Sequence, residues 1–329
     1  MKLTKILSLA LVMLLAFSAL ALSSCSEQKE DGTYTVGVVQ LVQHDALDAA
    51  TRGFEDALKA AFGDKVTVEV QNAQGAPDTC ATITSSFVNK KVDLIMANAT
   101  PALQAAQNAT MSIPILGTSI TEYGVALGIE NFSGTVGSNI SGTSDLAPLD
   151  KQAQMIIDLV PDVKKVAMIY CSAEANSTYQ VKVVTEYLKA KNIECKNFAF
   201  SDSNDVQLIA SQAAEWADAI YIPTDNTAAS CGETIWGAIA SKKVPVIAGE
   251  EGICKATGLA TLSINYYDLG YATGEMAVKI LKGESKIEEM PIEYTPETKL
   301  AKKYNKSICT SLGMDPAALE AAGYVAIAE

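Results

Sequence analysis

Residues 34–62 read YTVGVVQLVQHDALDAATRGFEDALKAAF and contain an apolar strand followed by a helix. Tyr34 to Gln40 is a short β-branched and apolar run, which is typical of a buried parallel strand. Leu47 to Phe62 carries apolar residues at helical spacing. Asp45 and Asp48 flank Leu47 in a variant of the capping box, so we expect the helix to begin there. The segment therefore predicts one β–α unit.

The same alternation of short apolar runs and amphipathic stretches continues along the chain in two series of similar size. Such alternation is typical of parallel-sheet α/β domains, and two consecutive series predict two doubly wound lobes. The predicted strands span residues 34–40, 66–71, 94–97, 114–116, 135–137, 165–170, 194–200, 219–222 and 245–248. The predicted helices span residues 47–62, 79–90, 101–108, 149–159, 177–191, 205–216 and 232–242.

The last third of the chain departs from this alternation. Residues 259–264 read as extended, 268–281 as a helix and 290–295 as extended again. A return of this kind suits a chain that crosses between two lobes more than once. We expect one lobe from residues 33–140 plus 264–291, and a second from residues 141–263 plus 292–329.

The N-terminus carries the marks of an export signal. Lys2 and Lys5 precede an apolar and small-residue run of 17, Ile6 to Leu22, with no basic stop-transfer cluster after it. The next residues, Leu22-Ser23-Ser24-Cys25, resemble a bacterial lipobox, in which the cysteine is acylated. We expect residues 1–24 to be a lipoprotein signal peptide, Cys25 the lipid-attachment site and residues 25–32 a tether. An ordinary cleaved signal is the alternative.

Charge and cysteine content exclude several classes of function. The net charge is −13, and loss of Lys2 and Lys5 with the signal would leave −15. So acidic a chain without a basic patch is a poor candidate for binding nucleic acid. The six cysteines other than Cys25 form no CxxC pair, and the chain has one histidine, so zinc-site spacings are absent. Buried free thiols are favoured over disulfides.

Sequence signatures of catalysis are also missing. There is no GxxxxGK[ST] loop, and no GxGxxG follows a predicted strand. Gly117-Thr118-Ser119 lacks the second glycine of a nucleophile elbow, because Thr121 stands in its place. We therefore expect a binding protein without a cofactor or metal rather than an enzyme.

Polar and small residues gather where the predicted strands end, which in open α/β sheets is the edge that binds ligands. An amino acid bound there needs hydroxyls and backbone N–H groups for its carboxylate, and Thr100 with Thr118 and Ser119 could supply them. Its ammonium needs a carboxylate from Asp225 or Asp145. Structural alternatives remain for three of these residues. Thr100 could be a helix cap, Asp225 could belong to an ordinary turn, and His44 could be a loop residue that faces solvent. The predicted site comprises Gln40, His44, Thr100, Thr118, Ser119, Asp145, Asn176, Asp225, Asn226 and Glu250.

Leu41, Val42 and Tyr123 are candidates for an apolar or aromatic wall of this site, and an ordinary surface or core position is the favoured alternative for Tyr123.

A set of motifs in order along the chain carries a family resemblance. They are Val36 to Gln40 with His44 and Leu47-Asp48, then 72–75, 99–102, 142–145, 170–172 with 176–177, 223–227, 268–270 and 272–274. With these motifs the chain resembles bacterial ABC-transporter substrate-binding lipoproteins of the tryptophan or aromatic amino acid type. The resemblance implies a type I periplasmic-binding-protein fold, in which two Rossmann-like lobes are joined by crossover strands and close around a ligand.

The resemblance implies an extracytoplasmic, lipid-anchored binding component of an ABC importer for a small amino acid, aromatic by expectation. Permease and ATPase subunits would be its partners, and we expect a monomer. A surface sensor on the same fold, or a binding protein for a sugar or nucleoside, is the alternative. We assign Asp225 to the ligand ammonium, and Thr100 with Thr118 and Ser119 to its carboxylate.

Overall fold

A computed structural model describes residues 32–328 and contains two α/β lobes, as the sequence predicts. The apolar strand runs are buried between helices, as expected for parallel strands covered on both faces. The first sheet has the order β11-β5-β4-β3-β1-β2 and the second β13-β12-β10-β9-β8-β6-β7. The strands are β1 (Tyr34–Gln40), β2 (Val66–Asn72), β3 (Leu94–Asn98), β4 (Ile115–Ile120), β5 (Ile140–Ser144), β6 (Lys165–Cys171), β7 (Glu194–Phe200), β8 (Ala219–Ile222), β9 (Val246–Ala248), β10 (Ala260–Ser263), β11 (Glu293–Tyr294), β12 (Ala301–Tyr304) and β13 (Val325–Ala326).

Pairing is parallel throughout the first sheet, and in the second only β10 and β12 run antiparallel. The helices that connect and cover the strands are α1 (Asp45–Phe62), α2 (Pro77–Lys90), α3 (Thr100–Ala109), α4 (Tyr123–Leu127), α5 (Leu149–Leu159), α6 (Ala175–Ala190), α7 (Val206–Trp216), α8 (Asn226–Ser230), α9 (Gly232–Ile239), α10 (Glu251–Ala256), α11 (Tyr266–Leu281), α12 (Lys306–Ser311) and α13 (Pro316–Ala321).

Helices α1 and α11 pack against each other at glycines. A Cβ atom on Gly270 would lie 1.9 Å from the carbonyl oxygen of Ala50, and one on Gly53 would lie 2.1 Å from that of Tyr267. Neither distance is possible between real atoms. The two glycines therefore set the close approach that holds the returning helix α11 on the first lobe.

One predicted strand is wrong. Residues 135–137 form only an isolated bridge between Thr135 and Pro291, and the fifth strand of the first sheet is β5 instead. Gly134 and Gly137 have φ angles of +97° and +73°, which lie outside the strand region and prevent a regular ladder.

The lobe boundaries at residues 140/141 and 291/292 stay predictions. β5 spans the first of these boundaries and β11 follows the second, yet both strands belong to the first sheet. The chain crosses between the sheets after β5, before α11 and after β11, in agreement with the expected multiple crossing.

The predicted signal peptide, Cys25 and most of the tether lie outside the described residues. Within residues 32–328, no helix combines the length and apolarity needed to span a membrane. The other six cysteines are free; four are buried, as expected, whereas Cys195 and Cys231 are partly exposed.

Candidate functional site

A small cavity lies between the lobes, where strands of both sheets end. Loops at the carboxyl ends of parallel strands meet there, which is the usual ligand position in open α/β sheets. Its lining residues are His44, Leu47, Ser119, Thr121, Asp145, Asn176, Thr224, Asp225, Asn226, Ala229, Glu250 and Tyr266.

Ser119 is held at the cavity by an irregular strand end. The register between β4 and β5 shifts between Gly117 and Ile120, and Ser119 has a φ angle of +56°. A non-glycine residue in this left-handed region is uncommon and often marks a functional position. The Ser119 hydroxyl is buried and has no hydrogen-bond partner within the described chain.

Asp145 directly follows β5, and Tyr266 is the first residue of α11. The Tyr266 hydroxyl donates a hydrogen bond of 2.8 Å to Asp145 Oδ2, whereas Oδ1 is buried without a partner among the described residues. Burial raises the pKa of Asp145 above its ordinary value. One carboxylate oxygen is therefore left for a donor from the cavity.

Glu174, which our reading of the sequence did not select, organises the second lobe's side of the cleft. Its carboxylate accepts hydrogen bonds from Asn226 N (3.0 Å), Asn226 Nδ2 (2.6 Å), Thr227 N (2.9 Å) and Thr227 Oγ1 (2.8 Å). The sequence feature that could have identified Glu174 is its position, three residues after β6 and two before Asn176.

Asn176 presents its carbonyl oxygen without a partner. Its Nδ2 donates to the Thr224 carbonyl at 2.9 Å, and its buried Oδ1 has no hydrogen-bond partner within residues 32–328. Glu174 is the N-cap of the helix that contains Asn176. The amide is thus free to accept a hydrogen bond from a ligand.

A side-chain hydrogen bond spans the cleft between His44 and Asn226. His44 Nε2 lies 3.3 Å from Asn226 Oδ1, and His44 Nδ1 is buried without a partner in the described chain. Burial of the ring lowers the pKa of His44, against the opposite effects of Asn226 and Glu174. The predicted alternative of a loop histidine in solvent is therefore wrong.

Asp225 and Glu250 line the cavity as helix caps. Asp225 accepts from Ala228 N at 2.8 Å and from Cys171 N at 2.6 Å, and Glu250 from Gly252 N at 2.6 Å and from Ile253 N. Burial raises the pKa of each to about 7, and nearby Glu174 adds to the shift at Asp225. Both oxygens of Asp225 are engaged by backbone, so it is a weaker candidate for the ligand ammonium than Asp145.

Three predicted site residues do not line the cavity. The Gln40 side chain makes hydrogen bonds within its own lobe: its Oε1 accepts from Thr51 Oγ1 at 2.6 Å, and its Nε2 donates to Asp48 Oδ1 at 2.6 Å. The Thr118 hydroxyl lies 3.3 Å from that of Thr143. Thr100 begins α3 but does not cap it, because Ala99 is the N-cap and the Thr100 hydroxyl makes no hydrogen bond within the described chain.

The proposed wall also changes. Tyr123 is a fully buried core residue whose hydroxyl donates to the carbonyls of Gly117 (3.0 Å) and Thr143 (3.1 Å), and neither Leu41 nor Val42 lines the cavity. The apolar surface of the cavity comes from Leu47, Ala229 and the ring of Tyr266.

The charge of the site is negative. Asp145, Glu174, Asp225 and Glu250 are each at most 3 % exposed, and no lysine or arginine lines the cavity. Buried carboxylates favour a cationic partner. Within residues 32–328, no cluster of three or more histidine, cysteine or acidic side chains is placed to hold a metal ion.

Comparison with known proteins identifies relatives along nearly the whole described chain. The profile of the family described as ABC transporter substrate binding protein matches residues 35–315. A tyrosine-binding protein of Clostridioides difficile strain R20291 is 38% identical over 268 residues, which cover 80% of this chain and 77% of the relative.

Two solved structures of similar sequence identity differ in how well they superimpose on this chain. An ABC domain in complex with L-Trp from Streptococcus pneumoniae is 31% identical, with a TM-score of 0.83 over 90% of this chain and 100% of the other. A ligand-free, open substrate-binding protein with adhesive properties from Clostridium difficile is 37% identical over the same shares, but its TM-score is 0.66. The chain therefore superimposes better on the L-Trp complex than on the ligand-free, open structure.

Proposed function

The chain belongs to the ABC transporter substrate-binding protein family, and from that premise we propose that it captures an aromatic L-amino acid between its lobes and delivers it to an ABC permease. The aromatic class is supported by the relatives, one named for tyrosine and one solved with L-Trp. Capture proceeds without chemical conversion of the ligand.

The observation that carries the proposal is a group of buried polar atoms without partners in one cavity. They are His44 Nδ1, Ser119 Oγ, Asp145 Oδ1 and Asn176 Oδ1. A buried polar atom left unpaired costs about 1–3 kcal/mol, and four such atoms belong to residues that line this one cavity, where a ligand can pair with them. A zwitterionic amino acid supplies both donors and acceptors for this set.

Within the cavity, we assign Asp145 to the ligand ammonium in place of Asp225. Asp145 Oδ1 is unpartnered, while the oxygens of Asp225 each accept a backbone N–H. Ser119 keeps its assignment as a donor to the ligand carboxylate. Gln40, Thr100 and Thr118 leave the proposed site because they do not line the cavity.

Binding and closure are coupled because each lobe holds part of the site. Ser119 and Asp145 lie on the first lobe, and Asn176 on the second. A ligand that contacts both has higher affinity for the closed form, and this difference in affinity drives closure. The closed form would be the one that the permease recognises.

Export and anchoring complete the proposal. The basic start, the apolar run and Cys25 in the lipobox-like sequence support acylation of Cys25 and attachment at the outer face of the membrane. The permease and ATPase subunits of the importer are the proposed partners.

Thermal unfolding of the purified protein against L-amino acids, sugars and nucleosides tests the ligand class. A ligand at a hundred times its dissociation constant adds about 2.7 kcal/mol. For a protein of this size we expect the unfolding midpoint to rise by roughly 5–10 °C with tyrosine, tryptophan or phenylalanine. A rise with a sugar or nucleoside, and none with any amino acid, would refute the proposed ligand class.

A further inference from the structure

We propose that Glu174 is a positioning residue, which determines which side-chain atoms of the cleft donate hydrogen bonds and which accept them. As a result, three acceptors together bind the three N–H groups of a primary ammonium: His44 Nδ1, Asn176 Oδ1 and Asp145 Oδ1. The inference rests on the proposed function and deepens it, since it says which amines the site accepts and why.

Glu174 first determines how the Asn226 amide is oriented. A carboxylate only accepts hydrogen bonds, so the amide group that lies 2.6 Å from Glu174 Oε2 must be the donating Nδ2. The Asn226 backbone N–H binds the same carboxylate oxygen at 3.0 Å. Rotation of the amide would place two oxygens against each other. Asn226 Oδ1 is therefore held toward the other lobe.

The orientation of Asn226 then determines the histidine tautomer. Asn226 Oδ1 is an acceptor, so His44 Nε2 at 3.3 Å must carry the proton and donate it. In a neutral imidazole, Nδ1 is then an unprotonated acceptor. This atom is buried, has no partner in the described chain and belongs to a residue that lines the cavity.

The Asn176 amide is oriented by the same carboxylate and by a carbonyl. Its Nδ2 lies 2.9 Å from the Thr224 carbonyl oxygen and 3.4 Å from Glu174 Oε2. Both neighbours are acceptors, so Asn176 Oδ1 is the atom left without a partner. With Asp145 Oδ1, three unpartnered acceptors line one small cavity, and a primary ammonium has three N–H bonds to match them.

The consequence is a specificity for the number of N–H bonds on the ligand nitrogen. Methylation of the amine removes one donor and adds bulk to a buried site, and acetylation removes the charge as well. We expect L-tyrosine and L-tryptophan to bind, and their N-methyl and N-acetyl derivatives to bind at least about 10-fold more weakly, since a hydrogen bond to a charged group contributes about 1.5–3 kcal/mol.

The experiment uses the fact that His44 is the chain's single histidine. Imidazole nitrogen NMR of the protein saturated with L-tyrosine or L-tryptophan reports its tautomer without assignment of other residues. We expect a protonated Nε2 and an unprotonated Nδ1. The Glu174→Gln variant should change this spectrum and lower the affinity about 10- to 100-fold. Glu186→Gln, the same change at an exposed position of α6, is the control and should alter neither.

Two further substitutions test His44 should the Glu174 variant fail to fold. Glutamine mimics the Nε2 position and asparagine the Nδ1 position, so His44→Gln should lose more affinity than His44→Asn. Equal losses, a protonated Nδ1 in the wild-type complex, or an unchanged tautomer and affinity in Glu174→Gln would each overturn the inference.

If neither amino acid binds the wild type, the proposed function fails. The tautomer of the unliganded protein, with and without Glu174→Gln, then decides whether Glu174 sets the tautomer of His44.

Discussion

The Asp145→Asn substitution tests whether Asp145, rather than Asp225, binds the ligand ammonium. Asp145 Oδ1 has no hydrogen-bond partner in the described chain, and the carboxylate is 3 % exposed. Removal of the charged partner of a buried ion pair costs about 2–5 kcal/mol. Since asparagine keeps a carbonyl oxygen for the ammonium, we expect the lower half of that range, about 2–3 kcal/mol. The dissociation constant should then rise about 30- to 150-fold.

The stability of the free protein should change in the opposite sense. Burial raises the pKa of Asp145 in the folded protein. The stability linked to a raised carboxyl pKa is present at low pH and is lost as the pH rises through that pKa. At neutral pH the charge is therefore a cost, and the variant should unfold at the same temperature as the wild type or higher.

Titration calorimetry with L-tyrosine and L-tryptophan, together with thermal unfolding, measures both effects. Asp162→Asn, at an exposed turn before β6, is the matched control. Asp225→Asn should instead lower stability, because an amide nitrogen would face a backbone N–H in place of one carboxylate oxygen. Folded Asp145→Asn protein with wild-type affinity, beside an Asp225→Asn variant that is stable but binds no ligand, would refute the assignment.

Three other outcomes are expected. Burial lowers the pKa of His44, so Nδ1 should take up a proton, and affinity should fall, only at a pH below the ordinary histidine value of 6.5. Calorimetry at several pH values below 6.5 would show no such fall if this is wrong. Gly270→Ala should lower the free energy of unfolding by at least about 1–3 kcal/mol, because its Cβ would clash with the backbone of α1. Gly237→Ala, in an open part of α9, should raise it by about 0.5–1 kcal/mol. Chemical denaturation measures both, and equal effects would contradict the close contact between α1 and α11. A thiol reagent should modify only Cys195 and Cys231 of the six described cysteines before unfolding, and mass spectrometry of the labelled peptides would reveal any other.

The secondary structure was largely predictable because its signals are local. The bounds of β1, β7, β8 and α5 match the predicted ranges, since apolar runs and helical spacing act over a few residues. The one strand placed wrongly, at residues 135–137, lies between glycines whose positive φ angles a sequence pattern does not reveal. The ordered motifs also indicated the family, which the profile match confirms.

The sequence by itself determined that polar groups would collect where strands of two α/β lobes end. Only the tertiary structure decided which of their atoms are still available. Both carboxylate oxygens of Asp225 accept hydrogen bonds, from the backbone N–H groups of Cys171 and Ala228, whereas Asp145 Oδ1 has no partner in the described chain. His44 meets Asn226 across 182 positions of sequence. A residue type specifies how many hydrogen bonds a side chain can make. Its partners, however, are set by contacts between distant segments, and these contacts form only when both lobes have folded and packed together.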